Sequence, residues 1–370
     1  MSFYKTYSEY KNLDLDKQFS AVRSSDILYA SVKTDSKISK LINLLSPLAQ
    51  SHLEELAQVA QGLTLQYFGR TIQLYTPLYL SNYCDNKCVY CSFNVENSFK
   101  RRKLNHQELE KEAKFISSTG LKHLLILTGE SRRESPISYI KECVKILKNY
   151  FSSISIEIYP LSEEEYSELI TSGVDGLTIY QEVYNESIYS KMHICGPKRD
   201  YVFRLEAPER GAKAGMRVIN IGALLGLYDW RKEVFFMGLH AKYLQDKFPD
   251  AEIGVSLPRL RPFAGDFKVP YPVNNIDIVQ IILSLRIFLP RVGISISTRE
   301  EQNFRDSLIP LGITRMSAGS STRVGGHTIN ASIVESLAQF EISDERSVKE
   351  IKMKLEEKGY QPVFKDWMHF

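Results

Sequence analysis

The chain has 370 residues, 43% of them hydrophobic and 25% charged, which is the composition of a globular protein with enough length for one large core or two modest ones. A formal net charge of +3 is nearly neutral at this length, so electrostatics gives no reason to expect nucleic acid or an anionic membrane as the main partner. Met1 to Asp14 mixes Tyr, Lys, Glu and Asp without the apolar run of a secretory signal, and the longest apolar stretch, Ile276 to Leu289, is broken by Asp277, Gln280 and Arg286 and too short to span a bilayer; a cytoplasmic protein is expected.

In chain order, apolar residues first recur at helical spacing from Ile38 to Gly62, which predicts two amphipathic helices within an N-terminal helical extension, residues 1–72. Eight β-rich runs follow: Pro77 to Ser81, His123 to Thr128, Ser153 to Tyr159, Gly176 to Tyr180, Arg217 to Leu224, Glu252 to Leu257, Gly293 to Ser297 and Gly312 to Ser317. The gaps between them are mostly long enough for a helix each, with helical patterns over Asn105 to Ser118, Ser162 to Thr171, Trp230 to Asp246 and Asn275 to Phe288. Apolar strands alternating with helices imply a parallel sheet, and eight such units close a TIM-type (β/α)8 barrel, placed at residues 73–325. The remaining residues, 326–370, carry one amphipathic pattern, Val348 to Lys358, and are expected as a C-terminal extension that packs on the barrel. The basic run Lys100-Arg101-Arg102-Lys103 is expected to face solvent.

Three of the five cysteines, Cys84, Cys88 and Cys91, lie within eight positions directly after the first strand. Such close neighbours cannot all meet disulfide geometry, so a metal and a reducing compartment are expected instead. A structural zinc and a simple electron-transfer cluster both want four ligands, and this loop offers three. Three thiolates on a four-iron four-sulfur (4Fe-4S) cluster leave one iron open. The alternative is a zinc knuckle completed by a distant ligand such as His106. Cys143 and Cys195 read as a buried small residue and a loop residue.

The CxxxCxxC of Cys84, Cys88 and Cys91, with Tyr90 before the last cysteine, resembles the signature of the radical S-adenosylmethionine (SAM) superfamily. The resemblance implies that the open iron chelates SAM, whose reductive cleavage gives a 5'-deoxyadenosyl radical, and that Tyr90 packs against the adenine. Thr128-Gly129-Glu130 resembles the GGE motif of that superfamily, whose backbone edge meets the SAM amino group. Gly222 to Asp229 resembles its GxIxGxxE motif, with Leu224 as the residue that meets adenine and Asp229 where a Glu is usual. By the same resemblance Glu182 contacts the ribose or methionyl end, and Arg204 takes the SAM carboxylate, which suits a planar guanidinium fork.

Barrel active sites are built at the C-terminal ends of the strands. The predicted ends carry the cysteine loop, Glu130, Glu157, Glu182, Arg259, Arg261, Arg299 and Ser317. Arg299 near the Ser317 hydroxyl makes a natural seat for a substrate carboxylate; the alternative is a surface salt bridge from Arg299 to Glu300 or Glu301.

Longer segments narrow the resemblance: Thr76 to Asn82, His123 to Glu130, Tyr180 to Tyr184, Ser256 to Pro262, Ser297 to Glu300 and Lys365-Asp366-Trp367 resemble the 2-iminoacetate synthases, the tyrosine lyases of thiamine biosynthesis. That implies hydrogen abstraction from the amino group of L-tyrosine and scission of its Cα–Cβ bond, giving 2-iminoacetate (dehydroglycine) and 4-methylphenol, with SAM converted to methionine and 5'-deoxyadenosine. It also implies a flavodoxin or ferredoxin as reductant and thiazole synthase (ThiG) as a physical partner. No cysteine follows Gly325, so a second cluster is not expected. A radical SAM lyase acting on tryptophan or another aromatic substrate is the alternative, and a non-catalytic zinc-binding barrel a more distant one.

Overall fold

In the computed structural model, which describes residues 2–33, 35–328 and 337–365, each apolar run becomes a strand of one parallel sheet. The barrel strands are β1 (Thr71–Ser81), β3 (His123–Thr128), β4 (Ser153–Glu157), β5 (Gly176–Glu182), β7 (Val218–Ala223), β8 (Glu252–Ser256), β9 (Gly293–Ile296) and β10 (Arg315–Ser317). They neighbour one another in that order, and β10 pairs with β1 through Gln73 opposite Arg315, which closes the barrel. Near-continuous burial along β3 and β7 explains their apolar composition, interrupted within β7 by Asn220: strands of a parallel sheet covered by helices are buried on both faces. The first strand starts six residues before its apolar run, because Thr71 to Thr76 alternate between intermediate and buried positions. A short β11 (Gln361–Val363) adds to the first residues of β1, also in parallel.

The helices of the shell carry legible caps. Capping boxes start α6 (His106–Ser118) at Asn105 with Glu108, α8 (Glu163–Ser172) at Ser162 with Glu165, and α13 (Asn275–Phe288) at Asn274 with Asp277. The apolar stretch that is too short for a membrane is α13, whose residues are buried almost all round because it lies between the barrel and the N-terminal helices α4 (Ile38–Leu45) and α5 (Leu53–Phe68). Among the described residues no helix is long and apolar enough to cross a membrane. Three further helices precede the expected pair: α1 (Phe3–Tyr10), α2 (Leu15–Ser20) and α3 (Ser24–Val32). Each buries only two or three side chains, too few for a periodic signal; α1 is tied down by Phe3, stacked on His240 with ring centroids 3.9 Å apart, from α12 (Trp230–Lys247). Also shielding the barrel are α7 (Ile137–Leu147), which buries Cys143 as expected, and α14 (Gln302–Leu308).

The connection from β5 to β7 is the most elaborate: α9 (Glu186–Met192), β6 (His193–Cys195), α10 (Tyr201–Leu205) and α11 (Ala207–Lys213). Strand β6 pairs antiparallel with β2 (Lys87–Cys88) inside the cysteine loop, so Cys195, expected in a loop, is an exposed strand residue opposite Lys87.

After Leu337 the chain runs as a strap over the barrel mouth. Gln339 N–H donates to Thr322 O, Glu341 N–H to Pro262 O, and Ser343 and Asp344 N–H both to Thr298 O. Arg305 and Arg346 clamp it through Asp344, with Arg346 also 2.9 Å from Asp306. The strap leads into α15 (Val348–Glu357). Asp366 and Trp367 of the expected terminal motif lie outside the described residues. Inside the barrel, Gln73, His123, Ser153, Thr178, Asn220 and Ser295 line a small cavity together with Leu124, Leu125, Tyr180 and Val218, where a barrel of this class is ordinarily filled by branched apolar layers.

Candidate active site

Strand β1 ends where the cysteine loop begins, and the loop is pinned by a residue expected to face solvent. Arg101 is half-buried, and its guanidinium donates to the carbonyls of Asn82 at 2.7 Å, Phe93 at 2.8 Å and Asn94 at 2.6 Å. A fork of fixed geometry can gather three carbonyls at once. Gly129 holds the loop from the other side: a Cβ there would stand 2.3 Å from the Tyr83 carbonyl oxygen, so only glycine lets the end of β3 meet the cysteine loop. Close approach to the protein's own backbone is thus one physical reason for glycine at Gly129.

Cys84, Cys88 and Cys91 line one cavity, together with Tyr90, Gly129, Glu130, Glu157, Glu182, Lys198, Arg204 and Gln339. Burial pushes the Cys84 thiol up to about 11 and those of Cys88 and Cys91 above their ordinary value, so a metal centre must displace three protons to bind. His106 opens α6 at the surface and pairs there with Glu142 at 3.2 Å. Three thiols spread around a cavity fit a multinuclear cluster. Thr128 Oγ1 adds an orphaned buried polar atom to the same wall.

Beside the cysteines two carboxylates and two cations form a closed network. Arg204 Nη1 lies 2.8 Å from Glu130, Lys198 Nζ 2.8 Å from Glu182 and 3.6 Å from Glu130, and Arg204 Nη2 3.8 Å from Glu182. Arg204 Nε donates to Tyr180 O at 2.7 Å, and Asn86 joins in by donating to Glu130 and accepting from Lys198 N–H. Burial works against both cations and both ions' partners repay it: Lys198 and Arg204 sit above their ordinary values, and Glu130 below. The Arg204 fork, expected on a ligand carboxylate, rests here on Glu130 and Glu182. Lys198 was not visible in the sequence, because it sits on the excursion between β5 and β7, away from any strand end. Glu182 has φ +68°, the only positive φ outside glycine among the described residues, at the bulge where β5 slips against β7. Such strain, about 1–3 kcal/mol, persists where the surroundings hold it, here the two cations.

Tyr90 is buried, and its hydroxyl lies 2.7 Å from His193 Nε2. His193 Nδ1 faces the Tyr189 carbonyl at 2.8 Å, which can only accept, so Nδ1 carries the proton and Tyr90 donates to Nε2. Leu224 packs with Cys88 and Tyr90, and its N–H donates to Glu182 O at 2.9 Å.

A second cavity shares the wall residues Tyr79, Leu127, Glu157 and Gln339 with the cysteine cavity and extends to Arg299 and Ser317. Glu300 turns away and pairs with Arg259, so the surface bridge weighed from sequence does not form. Among the described residues Arg299 has no ion pair; its guanidinium lies 3.3 Å from the centroid of the Phe340 ring and makes one long contact, 3.4 Å, to Arg259 O. Ser317 Oγ accepts from Thr298 N–H at 3.1 Å. Glu157, facing both cavities, is pushed up from 4.5 to about 7 by burial and by Glu182, against the pull of Arg299. Tyr79, buried, and Tyr75 and Tyr180, half-buried, remain protonated phenols, their pKa values raised by desolvation.

A barrel whose strand ends bring together three cysteines in CxxxCxxC spacing, a balanced ion network and an adjoining cavity fits a radical SAM enzyme. Residues 78–237 match the Radical SAM superfamily model and residues 256–361 the Biotin and Thiamin Synthesis associated domain. The chain is 39% identical to the 2-iminoacetate synthase of Escherichia coli (strain K12) over 98% of its length and 97% of that protein's, and 41% identical to that of Salmonella typhimurium over 88% and 86%. The crystal structure of HydG, a maturase of the FeFe hydrogenase, superposes with a TM-score of 0.89 at 32% identity, covering 98% of this chain and 80% of that one. The chain belongs to the 2-iminoacetate synthase family.

Proposed function

We propose that this enzyme cleaves the Cα–Cβ bond of L-tyrosine to 2-iminoacetate and 4-methylphenol, supplying the thiazole of thiamine. The observation that carries this reading is Arg299, a cation with no ion pair among the described residues, lining a cavity that shares Tyr79, Leu127, Glu157 and Gln339 with the one the cysteines line. A cluster on Cys84, Cys88 and Cys91 would supply the electron that splits SAM into methionine and the 5'-deoxyadenosyl group.

The residues of the chain do the positioning. Glu130 and Glu182 offer carboxylates to the amino and ribose groups of SAM, and Lys198 and Arg204 keep those carboxylates ionised and in place. Tyr90 and Leu224 wall the adenine side. Arg299, assisted by the Ser317 hydroxyl, holds the amino acid carboxylate, which sets the amino hydrogen against the first cavity. Glu157 lies between the two cavities, where an amino group held by Arg299 would point. The strap excludes water from the mouth.

A flavodoxin or ferredoxin as reductant, thiazole synthase as the acceptor of the imine, and a cytoplasmic location complete the reading; free cysteines throughout the described residues fit a reducing compartment. The test is to incubate oxygen-free, cluster-loaded, reduced protein with SAM and either tyrosine or tryptophan. The reading expects 4-methylphenol from tyrosine in step with 5'-deoxyadenosine. Product from tryptophan alone would overturn it.

A further inference from the structure

The strap places Gln339 between the two cavities, and its amide has a partner on each side. Tyr79 Oη donates to Gln339 Oε1 at 2.6 Å, and Gln339 Nε2 faces Cys91 Sγ at 3.9 Å. The orientation is fixed by chemistry. A ligating thiolate can only accept, so the amide must turn its nitrogen to the sulfur, and its oxygen then needs a donor, which is the Tyr79 hydroxyl. Burial keeps that phenol protonated. Backbone bonds hold the strap on both sides of the residue, Gln339 N–H to Thr322 O and Glu341 N–H to Pro262 O.

We propose that Gln339, oriented by Tyr79, is a positioning residue that sets the reduction potential of the cluster through an N–H···S bond to Cys91. The proposal rests on the reading that the three cysteines hold a cluster. Reduction adds negative charge that spreads onto the thiolate sulfurs, and an amide donor aimed at one of them stabilises the reduced form more than the oxidised one. Gln339 therefore raises the potential and eases electron entry. Tyr79 acts one step removed: without its hydroxyl the amide loses its anchor and the N–H turns away for part of the time.

The test is a redox titration of the reconstituted full-length protein, followed by electron paramagnetic resonance without SAM or tyrosine, so that turnover plays no part. Gln339→Leu keeps the shape and removes the donor; its midpoint potential is expected to fall. Gln339→Glu adds a negative charge and is expected to fall further. Tyr79→Phe should fall less than Gln339→Leu, and the double variant no further than Gln339→Leu, because both act through one bond. Wild type and Gln339→Leu with equal iron and sulfide content and the same midpoint would overturn the proposal while leaving the cluster reading intact. Wild type that takes up no cluster would overturn both.

Discussion

Replacing Arg299 with alanine tests the substrate seat directly. The guanidinium has five N–H donors, of which the protein engages one, weakly, at 3.4 Å to Arg259 O, while Phe340 covers one face at 3.3 Å. Arg299 lines the second cavity together with Pro77 and Leu127, against which a bound carboxylate would be desolvated. Truncating one partner of such a buried, hydrogen-bonded charge pair costs about 2–5 kcal/mol, which at about 1.4 kcal/mol per decade is about 30-fold to a few thousandfold in tyrosine affinity. Arg299→Lys keeps the charge but loses the fork and the stacking on Phe340, so it should fall between. Equilibrium dialysis of labelled tyrosine against the SAM-loaded holoenzyme measures the loss, with iron content and SAM affinity as controls that should not move. An Arg299→Ala protein that binds tyrosine as wild type does, with its cluster intact, would refute the assignment.

Lys198→Met strands Glu130 and Glu182 with Arg204 as their only cation, and breaking a buried network of this kind should lower unfolding stability by about 3–5 kcal/mol; a urea midpoint unchanged from wild type would show that the lysine is dispensable. Gly129→Ala drives a methyl group to 2.3 Å from the Tyr83 carbonyl, a clash that should cost about 1–3 kcal/mol and displace the cysteine loop, read as fewer irons per chain after reconstitution. Glu157 binds its proton more tightly folded than unfolded, with a pKa raised from 4.5 to about 7, so the stability it contributes is present below pH 4.5 and lost as pH rises towards 7. That shift corresponds to about 3 kcal/mol at most, less where cavity water screens it. Glu157→Gln should flatten the pH dependence of stability between those limits, and parallel curves for variant and wild type would count against the raised pKa.

The barrel was legible because its strands are buried on both faces, which leaves runs such as His123 to Thr128 with no polar interruption. The cysteine loop was legible because its ligands are close in sequence. What escaped was contributed from a distance. Lys198 and Gln339 reach the site from an excursion and from the strap, and neither carries a local pattern. Arg101 looked like a solvated charge, yet it gathers three carbonyls; its role depends on where those carbonyls fold, which spacing cannot reveal. The Arg299–Glu300 pairing was plausible from adjacency alone, but neighbouring side chains at a strand end point apart, and Glu300 finds Arg259, 41 residues away in sequence. The first three helices were missed because each turns only two or three side chains inward.

The polar lumen shifts where cohesion resides. With Ser153, Thr178, Asn220 and Ser295 among the groups on the inner wall, part of the cylinder's interior is held by hydrogen bonds, such as Asn220 to Ser256 at 2.7 Å, rather than by apolar layers. Much of the apolar burial lies in the helical jacket, where Ile281 and Leu285 of α13 are completely enclosed and α13 packs on α4 and α5. Shaving one methylene there, as in Ile281→Val, should cost about 1 kcal/mol.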